Sequence, residues 1–228
     1  MIVLTTLLTS TPDPQRGTTW PADPAVAETL ISSCQRHDVR PYVLFDQPPI
    51  STPIGGNWAW VERRHPNPYV DRWNAYAAFL DGLPDLQRRQ VWCVDASDVE
   101  LLHPPGPSAQ FWPAMESAGA DSLVYGMAEH DTELGYAWLR DNHPSVATFD
   151  HPLRSRPLYN AGILGGNGLV VRDLARQIAA ACGKDDLTDM AGFNRVLRSL
   201  PFVATGEPIH TRFRANEVDH PTAWWRHK

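Results

Sequence analysis

Short apolar runs that alternate with helix-forming segments are the feature that most constrains the fold of this chain. Residues 2–8, 42–45 and 91–94 have the length and the aliphatic and aromatic content of buried strands. The segment 23–34 opens with Asp-Pro, and the segment 67–82 opens with Asn-Pro and closes with glycine, as helices commonly do. Because strands that alternate with helices form mostly parallel sheets, the sequence predicts an α/β fold.

The second half of the chain continues this pattern less regularly. The predicted elements there are strands at 122–127 and 163–171 and helices at 174–182 and 190–200. Two aperiodic segments, 47–66 and 129–158, are predicted to be loops. A compact domain seldom keeps about 30 irregular residues without a use, so the second loop is predicted to bind a ligand.

Length and composition narrow the classes of protein. The 228 residues, 43% of them hydrophobic, suffice for one cored domain and are too few for two large ones. The formal net charge is −6 and no run of Lys and Arg occurs, which argues against a long nucleic acid or an anionic membrane surface as partner. The first residues, MIVLTTLLTSTP, lack a basic segment and a long apolar run, so we expect neither a signal peptide nor a membrane anchor.

The cysteines bear on the cellular compartment. Cys34, Cys93 and Cys182 are widely spaced and odd in number, which is typical of reduced packing thiols rather than of a disulfide framework or a zinc site. We therefore expect a cytoplasmic protein.

Acidic residues directly follow two of the predicted strands. Asp46 ends the second strand, and Asp95, Asp98 and Glu100 follow the third in the stretch VWCVDASDVELL. In open α/β sheets, ligands bind outside the carboxyl ends of the strands. A tight turn would bring Asp95 and Asp98 to one point, where hard oxygen ligands suit Mg²⁺ or Mn²⁺ and the cation in turn neutralises a diphosphate. The alternative is that both aspartates cap the following turn.

The stretch VWCVDASDVELL, followed by YNAGILGG and DMAGFNRVL, resembles the GT-A class of nucleotide-sugar glycosyltransferases. The resemblance implies a Rossmann-like, mixed but mostly parallel sheet flanked by helices in a single domain, 1–228. In that domain, 1–102 would form the nucleotide-binding half, and 103–228 the half that binds sugar and acceptor.

The resemblance also implies the roles of individual residues. Asp95 and Asp98 become the metal-site residues, and a segment below the donor sugar lines its pocket. The residues of that segment are Asn160, Ala161 and Gly162. The spacing here is Asp-Ala-Ser-Asp instead of Asp-x-Asp, so either Ser97 takes the inner place or only one aspartate touches the metal.

Two residues at the C-terminus, in AWWRHK, extend this implied site. Family members that use a late histidine as a further metal ligand suggest His227 for that role, and Lys228 would meet phosphate oxygens if the tail folds over the site. The alternative is a frayed, solvated end.

Further implied contacts come from the helices and from the first two strands. Asp189 resembles the acidic residue beneath the donor sugar, with ordinary helix capping as its alternative, and Arg72 would contact the diphosphate unless it is a solvated surface arginine. Thr5, Thr6 and Asp46 lie where base and ribose are expected. If Asp189 is only a cap, the next candidates for a catalytic carboxylate are Glu129, Asp131 and Asp150.

These observations together predict a metal-dependent, hexosyltransferase-like glycosyltransferase that uses a nucleotide-sugar donor, most simply a UDP-sugar, with Mn²⁺ or Mg²⁺. The acceptor stays open among a glycan, a protein, a metabolite and a modified base. One alternative is a non-catalytic protein that binds carbohydrate or a nucleotide sugar. Another is a sugar-nucleotide nucleotidyltransferase, although the stretch after the first strand, LTSTPDPQRG, lacks the Gly-rich phosphate loop of that class.

Overall fold

A six-stranded sheet organises the chain in the computed structural model, which describes residues 1–105, 124–133, 137–149, 157–212 and 221–228. The strands of this sheet are β1 (Ile2–Leu7), β2 (Tyr42–Phe45), β3 (Asn57–Trp60), β4 (Gln90–Val94), β6 (Val124–Glu133) and β7 (Pro157–Asn167). A small second sheet pairs β5 (Val99–Leu101) with β8 (Trp225–His227). The helices are α1 (Glu28–Gln35), α2 (Pro68–Asp81), α3 (Ala137–Asn142), α4 (Gly168–Ala181) and α5 (Met190–Ser199).

The large sheet is mixed but mostly parallel. Its strand order is β3-β2-β1-β4-β7-β6, and the pairs β3–β2, β2–β1 and β1–β4 are parallel. Strand β7 is antiparallel to both of its neighbours, so five of the six strands run in one direction. The carboxyl ends of β1, β2 and β4 therefore lie at one edge of the sheet. The prediction of a mostly parallel α/β domain is confirmed.

The two predicted helix starts are confirmed by their caps. Asn67 accepts a hydrogen bond from the Tyr69 amide at 2.9 Å, Pro68 occupies the first turn, and α2 ends at Gly82. Asp23 caps a short 3₁₀ turn that leads directly into α1.

Two element boundaries differ from those predicted by the sequence. The run 163–171 is not one strand, because the Asn167 side chain accepts a hydrogen bond from the Leu169 amide at 3.0 Å and so ends β7 and starts α4. The segment 47–66 is not entirely loop, since β3 pairs with β2 at the edge of the sheet. Strand β6 continues to Glu133 and α3 follows, so the segment 129–158 is also only partly irregular.

The C-terminal tail is a packed strand, so the frayed-end alternative is wrong. Strand β8 is antiparallel to β5, with Val99 opposite His227. Trp225 is fully buried, and its ring centroid lies 5.5 Å from that of Trp92. Trp224 packs against the same ring at 5.9 Å. The burial of two large aromatic side chains holds the end of the chain against the body of the protein.

None of the helices in the described ranges is both long enough and apolar enough to cross a membrane.

We expect the variant Trp225→Ala to lower the free energy of unfolding by about 3–5 kcal/mol, because it deletes a fully buried aromatic side chain. The matched control is Trp60→Ala on β3, where the residue is 60% exposed and the expected cost is below about 1.5 kcal/mol, which allows for the lost ring contact with Phe45. Denaturant unfolding of both variants measures the difference. Equal stabilities would contradict a structural role for the tail.

Candidate metal centre and ligand cleft

Three potential metal ligands lie close together, two just after the end of β4 and one at the end of β8. One ligand atom each from Asp95, Asp98 and His227 lies within 4.8 Å of the other two. The Nε2 atom of His227 is 3.4 Å from Asp98 Oδ2 and 3.9 Å from Asp95 Oδ2. Two carboxylates and one imidazole form a donor set that suits Mn²⁺ or Mg²⁺, so the chemistry of these residues fits the predicted cation.

Backbone pairing positions the three side chains. The Asp95 amide donates to the Gly162 carbonyl at 3.0 Å, and the Lys228 amide donates to the Asp98 carbonyl at 3.0 Å. The Asp-x-x-Asp spacing spans the turn between β4 and β5, and both carboxylates reach the same side of it. The sequence predicted this convergence of Asp95 and Asp98, and the paired tail brings His227 to them.

His227 and Ser97 also affect the pKa of the Asp98 carboxyl group. Burial by itself would raise the pKa of Asp98, but the hydrogen bond and charge of His227, together with a hydrogen bond from Ser97, lower that pKa below its usual range. The other ring nitrogen of His227, Nδ1, lies 3.3 Å from the Met127 sulfur. These contacts favour the ionised form of Asp98, which is the form that coordinates a cation.

Gly162 allows the close approach of the cluster to β7. A Cβ atom added there would lie 2.9 Å from Asp95 Oδ2 and 2.9 Å from His227 Nδ1, closer than real Cβ contacts. Only glycine leaves room for both side chains at this position.

Arg72 ties the metal cluster to α5. Its guanidinium pairs with Asp95 and donates to the Ala161 carbonyl at 3.0 Å, while its Nε donates to Asp189 at 2.7 Å. Its side chain is only 11% exposed, so the alternative of a solvated surface arginine is wrong. Burial by itself would lower the pKa of Arg72, but the charges of Asp189 and Asp95 raise it.

Asp189 precedes α5 but does not cap it with its side chain. Its Oδ2 accepts hydrogen bonds from Arg72 and from the Trp73 indole at 2.5 Å. Burial raises the pKa of Asp189, and the Arg72 guanidinium and the Trp73 indole oppose that rise. Oδ1 accepts no hydrogen bond from the described residues. The capping alternative for Asp189 is therefore wrong, and its role toward a sugar stays a prediction.

A cleft of ≈ 330 Å³ opens beside the metal cluster, between the carboxyl end of β1 and the first turn of α2. Four residues predicted from the sequence line it: Thr6, Arg72, Asp95 and Asp98. The lining residues that were not predicted include Asp13, Arg16, Trp20 and Tyr69. The signal that could have found Asp13, Arg16 and Trp20 is the turn PDPQRG, with Asp13 at its start, shortly before an aromatic residue. No local signal points to Tyr69, which lies on α2.

Two residues predicted to contact the nucleotide, Asp46 and Thr5, do not line the cleft. Asp46 accepts hydrogen bonds from the Thr9 amide at 2.8 Å, the Ser10 hydroxyl at 2.5 Å and Arg63 at 2.9 Å, so its carboxylate holds the loop after β1. Burial by itself would raise the pKa of Asp46, but these donors lower it. Thr5 is fully buried. Neither Asp46 nor Thr5 lines the cleft, and contact of either with a nucleotide stays a prediction.

The predicted sugar-pocket residues lie on β7, next to Arg72 and Asp95. They are Asn160, Ala161 and Gly162. Asn160 donates to Glu129 at 2.9 Å and accepts from the Gly162 amide at 2.7 Å. Glu129 is thus engaged with Asn160.

Three other acidic or basic candidates remain, namely Asp131, Asp150 and Lys228. Asp150 and the side chain of Asp131 lie outside the described residues. Lys228 Nζ lies 3.9 Å from Glu100, so the structure places it beside that carboxylate. Contact of Lys228 with phosphate stays a prediction.

Glu100, the third acid of VWCVDASDVELL, does not join the metal cluster. It accepts hydrogen bonds from Arg36 at 2.9 Å and from Arg226 at 3.0 Å. Its charge therefore links α1 to the C-terminal strand.

No protein-family model and no curated protein matches this chain.

We expect Gly162→Ala to weaken Mn²⁺ binding at least about tenfold, because the added methyl group displaces Asp95 or His227. The control is Gly82→Ala, where the added Cβ meets only the Phe79 carbonyl oxygen, at 3.5 Å. Titration calorimetry with Mn²⁺ measures both variants. Unchanged affinity in Gly162→Ala would show that the cation binds elsewhere.

Proposed function

We propose that this protein is a metal-dependent GT-A glycosyltransferase that moves a sugar from a nucleotide-sugar donor, in the simplest case a UDP-sugar, to an acceptor hydroxyl. The observation that carries the proposal is the cluster of Asp95, Asp98 and His227 at one end of an open cleft. The strand order around it supports a Rossmann-like site, because the cluster follows the carboxyl end of the central strand β4.

The charges around the cleft suit a diphosphate only when a cation is present. Asp95 and Asp98 would repel phosphate oxygens, and a Mn²⁺ or Mg²⁺ ion held by them and by His227 would neutralise the departing diphosphate. Arg72 adds a buried positive charge at the same end of the cleft, where it holds Asp95 in position.

Asp189 is the proposed carboxylate beneath the donor sugar. Its Oδ2 is bound by Arg72 and Trp73, which fixes the orientation of the carboxyl group. Asp189 is 2% exposed and does not line the cleft. The proposal is that its remaining oxygen accepts a sugar hydroxyl or stabilises positive charge that develops on the sugar ring. The negative charge is best suited to this role, and the Arg72 guanidinium favours it.

The acceptor and the compartment complete the proposal. The proposed acceptor is a glycan, a protein, a metabolite or a modified base. The three cysteines are free thiols, and Cys34 and Cys93 are buried, which supports a cytoplasmic location.

We expect UDP to bind at least about tenfold more tightly with Mn²⁺ than with EDTA, because the carboxylates repel a bare diphosphate. Asp98→Asn should abolish most of this difference. Asp85→Asn is the matched control, since Asp85 is exposed and precedes β4 at the opposite edge of the sheet. Titration calorimetry of the three proteins tests the metal bridge, and equal UDP affinity with Mn²⁺ and with EDTA would rule it out.

We expect Asp189→Asn to lower the turnover of donor-sugar hydrolysis or transfer by about 10²-fold, with a smaller change in UDP affinity. The variant should also lose stability, because it removes one charge of a buried ion pair.

The matched control for this loss of stability is Asp186→Asn. Asp186 is also buried, but its carboxylate accepts hydrogen bonds from Ser145 and Gly183 and not from Arg72. Turnover per folded molecule should stay near that of the wild type. If both variants lose turnover only in proportion to their unfolded fraction, Asp189 is a structural residue.

A further inference from the structure

The two edges of the large sheet differ in what covers them. At the β6 edge, the segment after α5 lies alongside the strand. The Ala204 amide donates to the Val124 carbonyl at 2.8 Å, and the Gly126 amide donates to the Ala204 carbonyl at 2.9 Å. At the other edge, β3 pairs with β2, and none of the described residues pairs with its second side. An uncovered edge strand offers its amide and carbonyl groups to another strand.

The register of β3 decides which of its backbone groups are free. The amides of Asn57 and Val61 donate to carbonyls on the β2 side, at 2.8 Å and 2.9 Å. In a parallel ladder, alternate residues face the same neighbour, so Ala59 faces β2 as well. The backbone groups of Trp58 and Trp60 therefore point away from the sheet, with one residue between them.

Strand β3 also lacks the features that commonly protect an edge strand. The stretch 47–61, QPPISTPIGGNWAWV, contains no charged residue, and β3 itself contains no proline. Trp60 is 60% exposed, although its ring packs edge-on against Phe45 at 5.6 Å. Ile50 and Ile54, in the segment that leads into β3, are exposed as well. The open edge therefore combines free backbone groups with exposed apolar side chains.

A second copy of the same strand matches these free groups. In an antiparallel pair, positions that exchange two hydrogen bonds alternate with positions that exchange none. When Ala59 lies opposite Ala59 of a second copy, Trp58 of each copy lies opposite Trp60 of the other. These are the residues whose backbone groups are free. Opposite side chains share a face of the sheet, so the tryptophans of the two copies contact each other and cover the exposed Trp60 ring.

The distribution of charge permits this register. A net charge of −6 opposes the association of two copies, but the uncharged stretch 47–61 keeps that charge away from the pairing strands. The nearest charged residues are Glu62 and Arg64. In this register they lie opposite Gly56 and Ile54 of the second copy, so no like charges face each other.

We propose that β3 is a self-association surface, through which two copies of this chain form a dimer with one continuous sheet and Ala59 at its two-fold axis. Stable pairs of proteins bury about 800 Å² per partner over about 20–30 residues, and the segment 50–64 supplies about half that number. The dimer is therefore reversible, with a dissociation constant in the micromolar range. The two-fold axis reverses the sheet of the second copy, so the two clefts open at opposite edges. This inference does not rest on the proposed function.

The first test is sedimentation velocity of the full chain from low to high micromolar concentration. We expect the wild type to dimerise over this range and Trp60→Lys to weaken the association at least about tenfold, because it places a charge on the open edge. The matched control is Phe202→Lys, which makes the same change at a residue of similar exposure, 62%, outside β3. This control should dimerise like the wild type, and thermal melts check that both variants are folded.

The second test fixes the register by disulfide formation under mild oxidation. Opposite residues at a position without hydrogen bonds have Cα atoms about 4.5 Å apart, so Ala59→Cys should cross-link two copies. The matched control is Asn57→Cys, whose two copies would lie about 13 Å apart along the strand and should not cross-link. The wild type supplies the background from its three natural cysteines, of which Cys34 and Cys93 are buried. Electrophoresis without reductant measures the cross-linked fraction.

Each contrary outcome overturns the proposal. A wild type that stays monomeric at high micromolar concentration would leave the open edge to a partner of another kind. A dimer that Trp60→Lys leaves intact, or that Phe202→Lys weakens equally, would use a different surface. A dimer in which Ala59→Cys cross-links no better than Asn57→Cys would exclude the symmetric pairing of β3.

Discussion

The buried guanidinium of Arg72 is the interaction on which the rest of the site depends. It joins α2 to the end of β4 through Asp95, to β7 through the Ala161 carbonyl and to the start of α5 through Asp189. A buried charge is tolerated only where partners compensate its desolvation, and here two carboxylates and a carbonyl do so. The same contacts raise the pKa of Arg72, so its positive charge is constant at physiological pH. Four separate elements of the chain are thereby held around one fixed charge.

Close backbone approach is the second constraint, and it explains why the metal cluster is compact. Gly162 lets Asp95 and His227 lie against β7, and the pairing of β5 with β8 brings the last residues of the chain to the same place. The buried Trp225 holds that strand in position. The cluster therefore depends on packing outside its three ligands. A substitution of Trp225 would change the position of β8, and so would displace His227 from the candidate cation site.

Much of the framework could be predicted because its signals are local. Asn67 and Pro68 start α2 by chemistry that acts within a few residues, and the apolar runs of β1, β2 and β4 show their burial directly. The prediction failed where a local signal was ambiguous. The run 163–171 is apolar enough for a strand throughout, and only the cap formed by Asn167 divides it between β7 and α4. The edge strand β3 lies in a segment rich in Pro and Gly, where pairing with β2 decides the conformation.

The candidate site shows the same division between local and tertiary information. The sequence by itself determined that Asp95 and Asp98 follow a buried strand across one short turn, because strand burial and turn chemistry are properties of neighbouring residues. Only the tertiary structure decided that Glu100 faces Arg36 and Arg226 instead of the cluster, since alternation along β5 and its partners across space set the direction of that side chain. It also decided that the loop held by Asp13 meets α2 beside the cleft, because that contact joins Asp13 to Tyr69, which are 56 positions apart in the chain. No local pattern encodes such a distance, and only the packing of the whole domain brings the two residues together.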